Sequence, residues 1–124
     1  MAHFTDRELD VMGILWQRGA STVTEVRAAL PVQLAYTTVL TVLRTLEDKG
    51  FVGHREEGKA YRYYSRVTSK SARRTALARV LDKVFGGSAE LLLTHLVTDT
   101  NLSTEEVKRL RGLIDNAMKR SQKS

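Results

Sequence analysis

Leu34-Ala35-Tyr36-Thr37-Thr38-Val39-Leu40-Thr41-Val42-Leu43-Arg44-Thr45-Leu46-Glu47-Asp48-Lys49-Gly50 is the stretch on which the fold turns. Val39, Val42, Leu43 and Leu46 recur at i, i+3, i+4 and i+7, one core-facing stripe of a helix. The spacing predicts a helix over residues 36–49 with Gly50 as its C-cap. With Val39 at the centre of the buried stripe and a step of about 100° per residue, Thr37, Thr41 and Arg44 land on the opposite face. Asp48 follows a turn further on, Thr38 and Thr45 flank one side of that face, and Leu40 flanks the other. Threonine is a mediocre helix former, so helix stability alone would not select an exposed row of them. Their hydroxyls can bond base edges or phosphates, their methyls can touch thymine methyls, and arginine can grip guanine bidentately. Tyr36, Thr37, Thr38, Thr41, Arg44 and Thr45 are therefore candidate DNA-binding residues.

On the N-terminal side, Thr5 with Glu8 forms a capping box, with Phe4 and Leu9 at the staple positions. The helix that follows is expected to bury Leu9, Met12, Leu15 and Trp16 and to stop at Gly19. Thr22 with Glu25 forms a second box, opening a short helix through Val23, Val26 and Leu30, with the single proline, Pro31, at or just past its end. On the C-terminal side the period changes. Residues 51–55 and 60–65 read as two strands joined by Glu56-Glu57-Gly58-Lys59, where Gly58 supplies a positive φ. Three helices and a hairpin make a winged helix-turn-helix, whose third helix enters a major groove. Arg55, Lys59 and Arg62 on the hairpin are candidates for phosphate contact. Tyr61 and Tyr63 share a strand face and are assigned to packing. Glu56 and Glu57 at the tip count against deep contact there.

From Thr68 the helical period returns through Ala72, Ala76, Leu77, Val80, Leu81 and Val84, ending at Gly86-Gly87. Ser88 opens a helix carrying Leu91, Leu92, Leu93, Leu96 and Val97, and Thr98 to Asn101 is a polar break. Ser103 with Glu106 forms a third box, with Leu102 and Val107 placed as its staple. The last helix presents Val107, Leu110, Leu113, Ile114, Ala117 and Met118. The expected architecture is mainly α with a small β-hairpin. A winged-helix DNA-binding domain over 1–67 precedes a three-helix dimerisation region over 68–124. Val80, Val84, Leu92, Leu96, Leu110, Leu113 and Ile114 exceed what three short helices can bury alone, which predicts a homodimer.

Twenty basic and 14 acidic residues give a net charge of +6, a surface that attracts polyanions. Residues 1–66 hold nine basic and eight acidic side chains, so most of the excess lies further on, at Lys70, Arg73, Arg74, Arg79 and Lys83. With no cysteine, disulfides and thiolate metal sites are excluded. No apolar run has the length of a membrane span and the N-terminus lacks a signal pattern, so a cytoplasmic protein with no membrane insertion is expected. His3, His54 and His95 are scattered, and the i, i+4 pair His95 and Asp99 reads as a surface contact. No catalytic constellation, metal site, cofactor motif or phosphate loop emerges, and an enzyme is not expected. Two alternatives remain: a winged-helix module that joins proteins, and a ligand-sensing repressor with a pocket among the C-terminal helices.

The segment from Leu34 to Gly50 resembles the recognition-helix region of the penicillinase-repressor family, which includes β-lactamase, methicillin-resistance and copper-responsive repressors. The likeness extends back to Thr5-Asp6-Arg7-Glu8-Leu9-Asp10-Val11-Met12 and Leu15-Trp16. It runs forward through Tyr61-Arg62-Tyr63-Tyr64-Ser65 to Leu102-Ser103, with Ala35-Tyr36-Thr37-Thr38-Val39 its most specific part. It implies a homodimer on a palindromic double-stranded operator, with the last three helices forming the interface. In the lactam-responsive branch it also implies release by a sensor-protease that cuts after an asparagine before the final helix. Asn101-Leu102 occupies that place, with Leu102 where that bond carries an aromatic residue. The copper branch carries a C-terminal cysteine cluster, which this chain lacks.

Overall fold

Three capping boxes fix where helices begin, and glycines at positive φ fix where several segments end. In the computed structural model, which describes residues 3–123, helix α1 spans Asp6–Arg18 and strand β1 spans Ser21–Thr22. Helices α2 (Val23–Ala29) and α3 (Tyr36–Asp48) follow, then strands β2 (Val52–Glu57) and β3 (Ala60–Ser65). Helices α4 (Ser69–Lys83), α5 (Ala89–Asp99) and α6 (Thr104–Lys123) complete the order. The Thr5–Glu8, Thr22–Glu25 and Ser103–Glu106 boxes are all closed in both directions. Gly19 ends α1 at φ 85°, and Gly50 turns the chain out of α3 at φ 87°.

The sheet has three strands rather than two, antiparallel in the order β1-β3-β2. Ser21 pairs with Tyr63 and Thr22 with Arg62 on one side of β3, while His54 pairs with Tyr63 and Glu57 with Ala60 on the other. Two residues are too few to show alternation, and Thr22 also serves as the N-cap of α2. The hairpin turn is the pair Gly58-Lys59, with Gly58 at φ 64°. Gly53 lies opposite Tyr64, where an added Cβ would meet the Tyr64 Oη at 2.5 Å. The ring takes the place of a side chain there.

Val11, Met12, Ile14, Leu15, Val23, Val26, Leu30, Val39, Leu43, Leu46, Val52 and Tyr63 form one core. Truncating a fully enclosed member such as Leu43 would cost about 2–5 kcal/mol. Leu9 is 42% exposed rather than buried. The inward face of α1 is Glu8, Val11, Met12 and Leu15, at i, i+3, i+4 and i+7, and Leu9 falls outside it. Phe4 packs at 4.4 Å on Phe51 and edge-on to Trp16. Tyr63 is buried as packing requires, whereas Tyr61, two residues nearer the tip, is exposed. Trp16 Nε1 donates to the Val67 carbonyl and to Ser65 Oγ, tying α1 to the chain leading into α4.

By internal contacts the chain forms two units, Met1–Ala78 and Arg79–Ser124, so the division falls within α4. No described residue after Tyr63 is buried. In the second unit Val80, Val84, Leu96, Leu113 and Ile114 are exposed, Val84 to 70%, while Leu92 and Leu110 are half-buried. The break between α5 and α6 is shorter than the sequence suggests. Thr98 and Asp99 remain within α5, where the Thr98 hydroxyl bonds back to the Thr94 carbonyl. Thr100 to Ser103 alone connect the helices, with Asn101 exposed and Leu102 half-buried.

Candidate nucleic-acid interface

Helix α3 begins without help from a side chain. Ala35 caps it with no side-chain hydrogen bond, and its first turn holds no acid. The other helices have hydroxyl caps: Thr5, Thr22, Ser88 and Ser103, with Thr68 serving α4. The Thr38 amide donates to the Ala35 carbonyl at 3.1 Å, and the Tyr36 and Thr37 amides have no partner among the described residues, at the positive end of the helix dipole. The chain entering that turn is held by Arg27, whose Nε donates to the Leu34 carbonyl at 2.6 Å. The far end is held by Lys49, whose ammonium lies 2.9 Å from both oxygens of the buried Glu8 carboxylate. Burial pushes that carboxyl up, but the Thr5 amide and the Lys49 ammonium outweigh it and leave it below its ordinary range.

Between these braces Tyr36, Thr37, Thr38, Thr41, Arg44 and Thr45 are all exposed, on the face the helical period assigns to them. The Thr41 hydroxyl donates to the Thr37 carbonyl and the Thr45 hydroxyl to the Thr41 carbonyl, each at 2.9 Å. Their protons are engaged, so they offer outward a methyl and acceptor lone pairs. Thr37 and Thr38 have no such back-bond among the described residues. Nor does Arg44 form an ion pair there, which leaves its guanidinium to solvent.

On the hairpin, Arg55 and Lys59 are exposed and form no ion pair among the described residues. Arg62 is placed differently. Its Nε donates to Glu57 at 2.5 Å, and its Nη1 donates to Glu25 at 2.8 Å and to the Ala20 carbonyl at 3.0 Å. The bond to Glu57 leads the causes that raise its pKa, and both carboxyls are held below their ordinary range. Arg62 clamps the wing to the N-terminus of α2, across the short strand that periodicity could not show.

Periodicity also passed over a cluster between α3 and the wing. His54 Nδ1 lies 2.6 Å from Glu47 Oε2, with the ring tilted over Tyr61 at 4.5 Å and Tyr63 at 5.6 Å. Tyr63 has its hydroxyl pushed up, first by burial and then by Glu47, with Arg44 acting the other way. The available signal was register: His54 and Tyr63 are cross-strand partners. His95 and Asp99 make the i, i+4 surface pair, at 2.7 Å. Among the described residues no cluster of side chains suits a metal ion, and no helix is long and apolar enough to cross a membrane.

The family of penicillinase repressors matches residues 4–116. The methicillin resistance regulatory protein MecI of Staphylococcus aureus is 24% identical over 110 residues, covering 87% of this chain and 89% of that protein. The penicillinase repressor of Bacillus licheniformis is 23% identical over 113 residues, covering 90% and 88%. Among solved structures, a transcriptional regulator of Thermotoga maritima shares the fold at a TM-score of 0.51 and 16% identity, over 93% of this chain and 79% of that one. These proteins are transcriptional regulators rather than enzymes. Matched along nearly its whole length, the chain belongs to the penicillinase repressor family of winged-helix transcriptional repressors.

Proposed function

We propose that the chain acts as a homodimer that covers a two-fold symmetric operator in double-stranded DNA and represses a resistance gene of the kind its relatives are named for. The observation that carries this reading is the exposed face of α3. An uncapped helix start, four threonines and an unpaired arginine stand between two braces that fix the helix in the fold. A phosphate suits the free amides of the first turn, and Arg44 suits a guanine edge. Arg55 and Lys59 supply backbone contacts from the wing, and Arg62 holds the wing in place rather than meeting phosphate.

A second copy of the chain is the occupant we assign to the apolar faces of α4 to α6. Val80, Val84, Leu96, Leu113 and Ile114 are exposed in the single chain, too much apolar surface for a monomer to leave in water. Leu92 and Leu110 are half-buried and would complete the contact. Pairing by a two-fold axis sets two α3 helices on successive major-groove faces. Relief of repression by cleavage at Asn101-Leu102 fits the exposed connector there, and a sensor-protease would be the partner. The test joins a mobility shift against random-sequence duplex DNA with sedimentation of the free protein. Selection of an inverted repeat by a dimer supports the reading. A stable monomer at micromolar concentration, or binding without sequence preference, would overturn it.

A further inference from the structure

Glu47 lies three residues beyond Arg44 on α3, and its carboxylate is turned to the wing rather than to solvent alone. It meets His54 of β2 at 2.6 Å, with both side chains about one-third exposed, at 31% and 35%. Tyr61 and Tyr63 of β3 hold the imidazole from the same side of the sheet. An ionised Glu47 can only accept, so Nδ1 carries a proton whether the ring is neutral or charged. The hydrogen bond therefore survives deprotonation of the ring. What changes is the charge of the pair, from zero with imidazolium to −1 with neutral imidazole, beside the face that DNA would cover.

We infer that His54 and Glu47 form a positioning brace between the reading helix and the wing, and that DNA binding is coupled to proton uptake on His54. The inference rests on the DNA-binding reading above. The charged and titratable groups around the ring are Glu47, with Arg44 and Tyr36 near the Tyr63 hydroxyl, from α3, Tyr61 and Tyr63 from β3, and Arg55 next to it on β2. A carboxylate in contact with the ring attracts an imidazolium, and positive charge on nearby arginines repels it. Incoming phosphates add negative potential on the side of Glu47 and draw Arg44 and Arg55 to themselves. Both effects favour the charged ring in the complex, so a proton enters with the DNA. Affinity then rises as pH falls, by up to about one decade per pH unit for each half-site.

The test uses a duplex recovered by the full-length protein from a random-sequence pool, titrated from about pH 6 to pH 8, the range of the imidazole, at constant ionic strength. His54→Asn places an amide donor where Nδ1 stands and cannot take the charge. It is expected to bind within about threefold of the parent at pH 8 and to lose most of the rise toward pH 6. His54→Ala removes the brace and is expected to bind more weakly at every pH, with thermal unfolding showing whether the fold persists. A pH profile for His54→Asn that tracks the parent, whose His3 and His95 remain in both proteins, overturns the proton coupling. A parent that binds no duplex at any pH overturns the DNA reading itself, and this proposal with it.

Discussion

Arg62 separates two accounts of the wing. On charge alone Arg62, Arg55 and Lys59 are equivalent phosphate contacts, but Arg62 already spends its guanidinium on Glu57, Glu25 and the Ala20 carbonyl. Each phosphate neutralised by the protein contributes about 0.9 to the slope of log K against log salt concentration. A substitution in a dimer acts twice, so Lys59→Ala should flatten the slope by about 1.8. Arg62→Ala should flatten it by less than half of that, since the cation it removes was already neutralised by two carboxylates. Arg62→Ala should instead lower the melting temperature, because β1, the start of α2 and the wing tip lose their common tie. Fluorescence anisotropy with a selected duplex across a potassium chloride series gives the slopes, and circular dichroism gives the melting points. Equal flattening by the two variants, with an unchanged melting temperature for Arg62→Ala, would show that the arginine leaves its carboxylates for phosphate.

Arg44→Ala should cost about 1–3 kcal/mol per half-site and relax preference at a single base position, read by sequencing duplexes selected by each protein. Glu8 gives a pH dependence with a definite sign. Its carboxyl is held below the ordinary value of 4.5 in the folded chain, so its stabilising effect is complete above that value and is lost as pH falls through the lowered one. Glu8→Gln should therefore destabilise at neutral pH and make the acid limb of a pH–melting curve shallower. Truncation after Asn101 should abolish self-association and weaken operator binding by about 10²-fold. The far-ultraviolet signature and melting of the winged helix should persist, because among the described residues every buried one lies between Glu8 and Tyr63.

What the sequence made legible follows from the length over which each signal is averaged. The α3 stripe of Val39, Leu43 and Leu46 emerged from its period, and the three capping boxes emerged from paired side chains three residues apart. Strand β1 stayed hidden because two residues carry no period. The displacement of Leu9 by Glu8 on the buried face of α1 has a physical reason that hydropathy cannot see. A carboxylate that accepts the Thr5 amide and the Lys49 ammonium can be enclosed, and the ammonium comes from a residue 41 positions away. Tyr61 and Tyr63 have the same parity and differ only in distance from the wing tip. The His54–Glu47 contact joins β2 to α3 and pairs His54 with Tyr63 across the hairpin, a register that neither the helical nor the strand period encodes.

A winged helix whose first 66 residues carry only one excess positive charge can still bind DNA, because its charges are sorted by position. Arg7, Lys49 and Arg62 are matched with Asp10, Glu8, and Glu25 with Glu57. Arg44, Arg55 and Lys59, on the reading helix and the wing, have no such ion pair among the described residues. On the proposed assignment, Arg44, Arg55 and Lys59 give about three phosphate or base contacts per protomer, a small electrostatic contribution, and one half-site held that way would let go readily at cellular salt. Two half-sites on one rigid operator convert the second contact into an intramolecular event, which multiplies affinity without any new residue at the DNA. On the dimeric reading, the weak charge of the winged helix and the exposed apolar faces of α4 to α6 are therefore parts of one design. A repressor that bound tightly as a monomer could not be switched off by losing α6. On the proposed mechanism, one that needs both copies would be released by a cut in the Thr100–Ser103 connector, with its DNA-reading face intact.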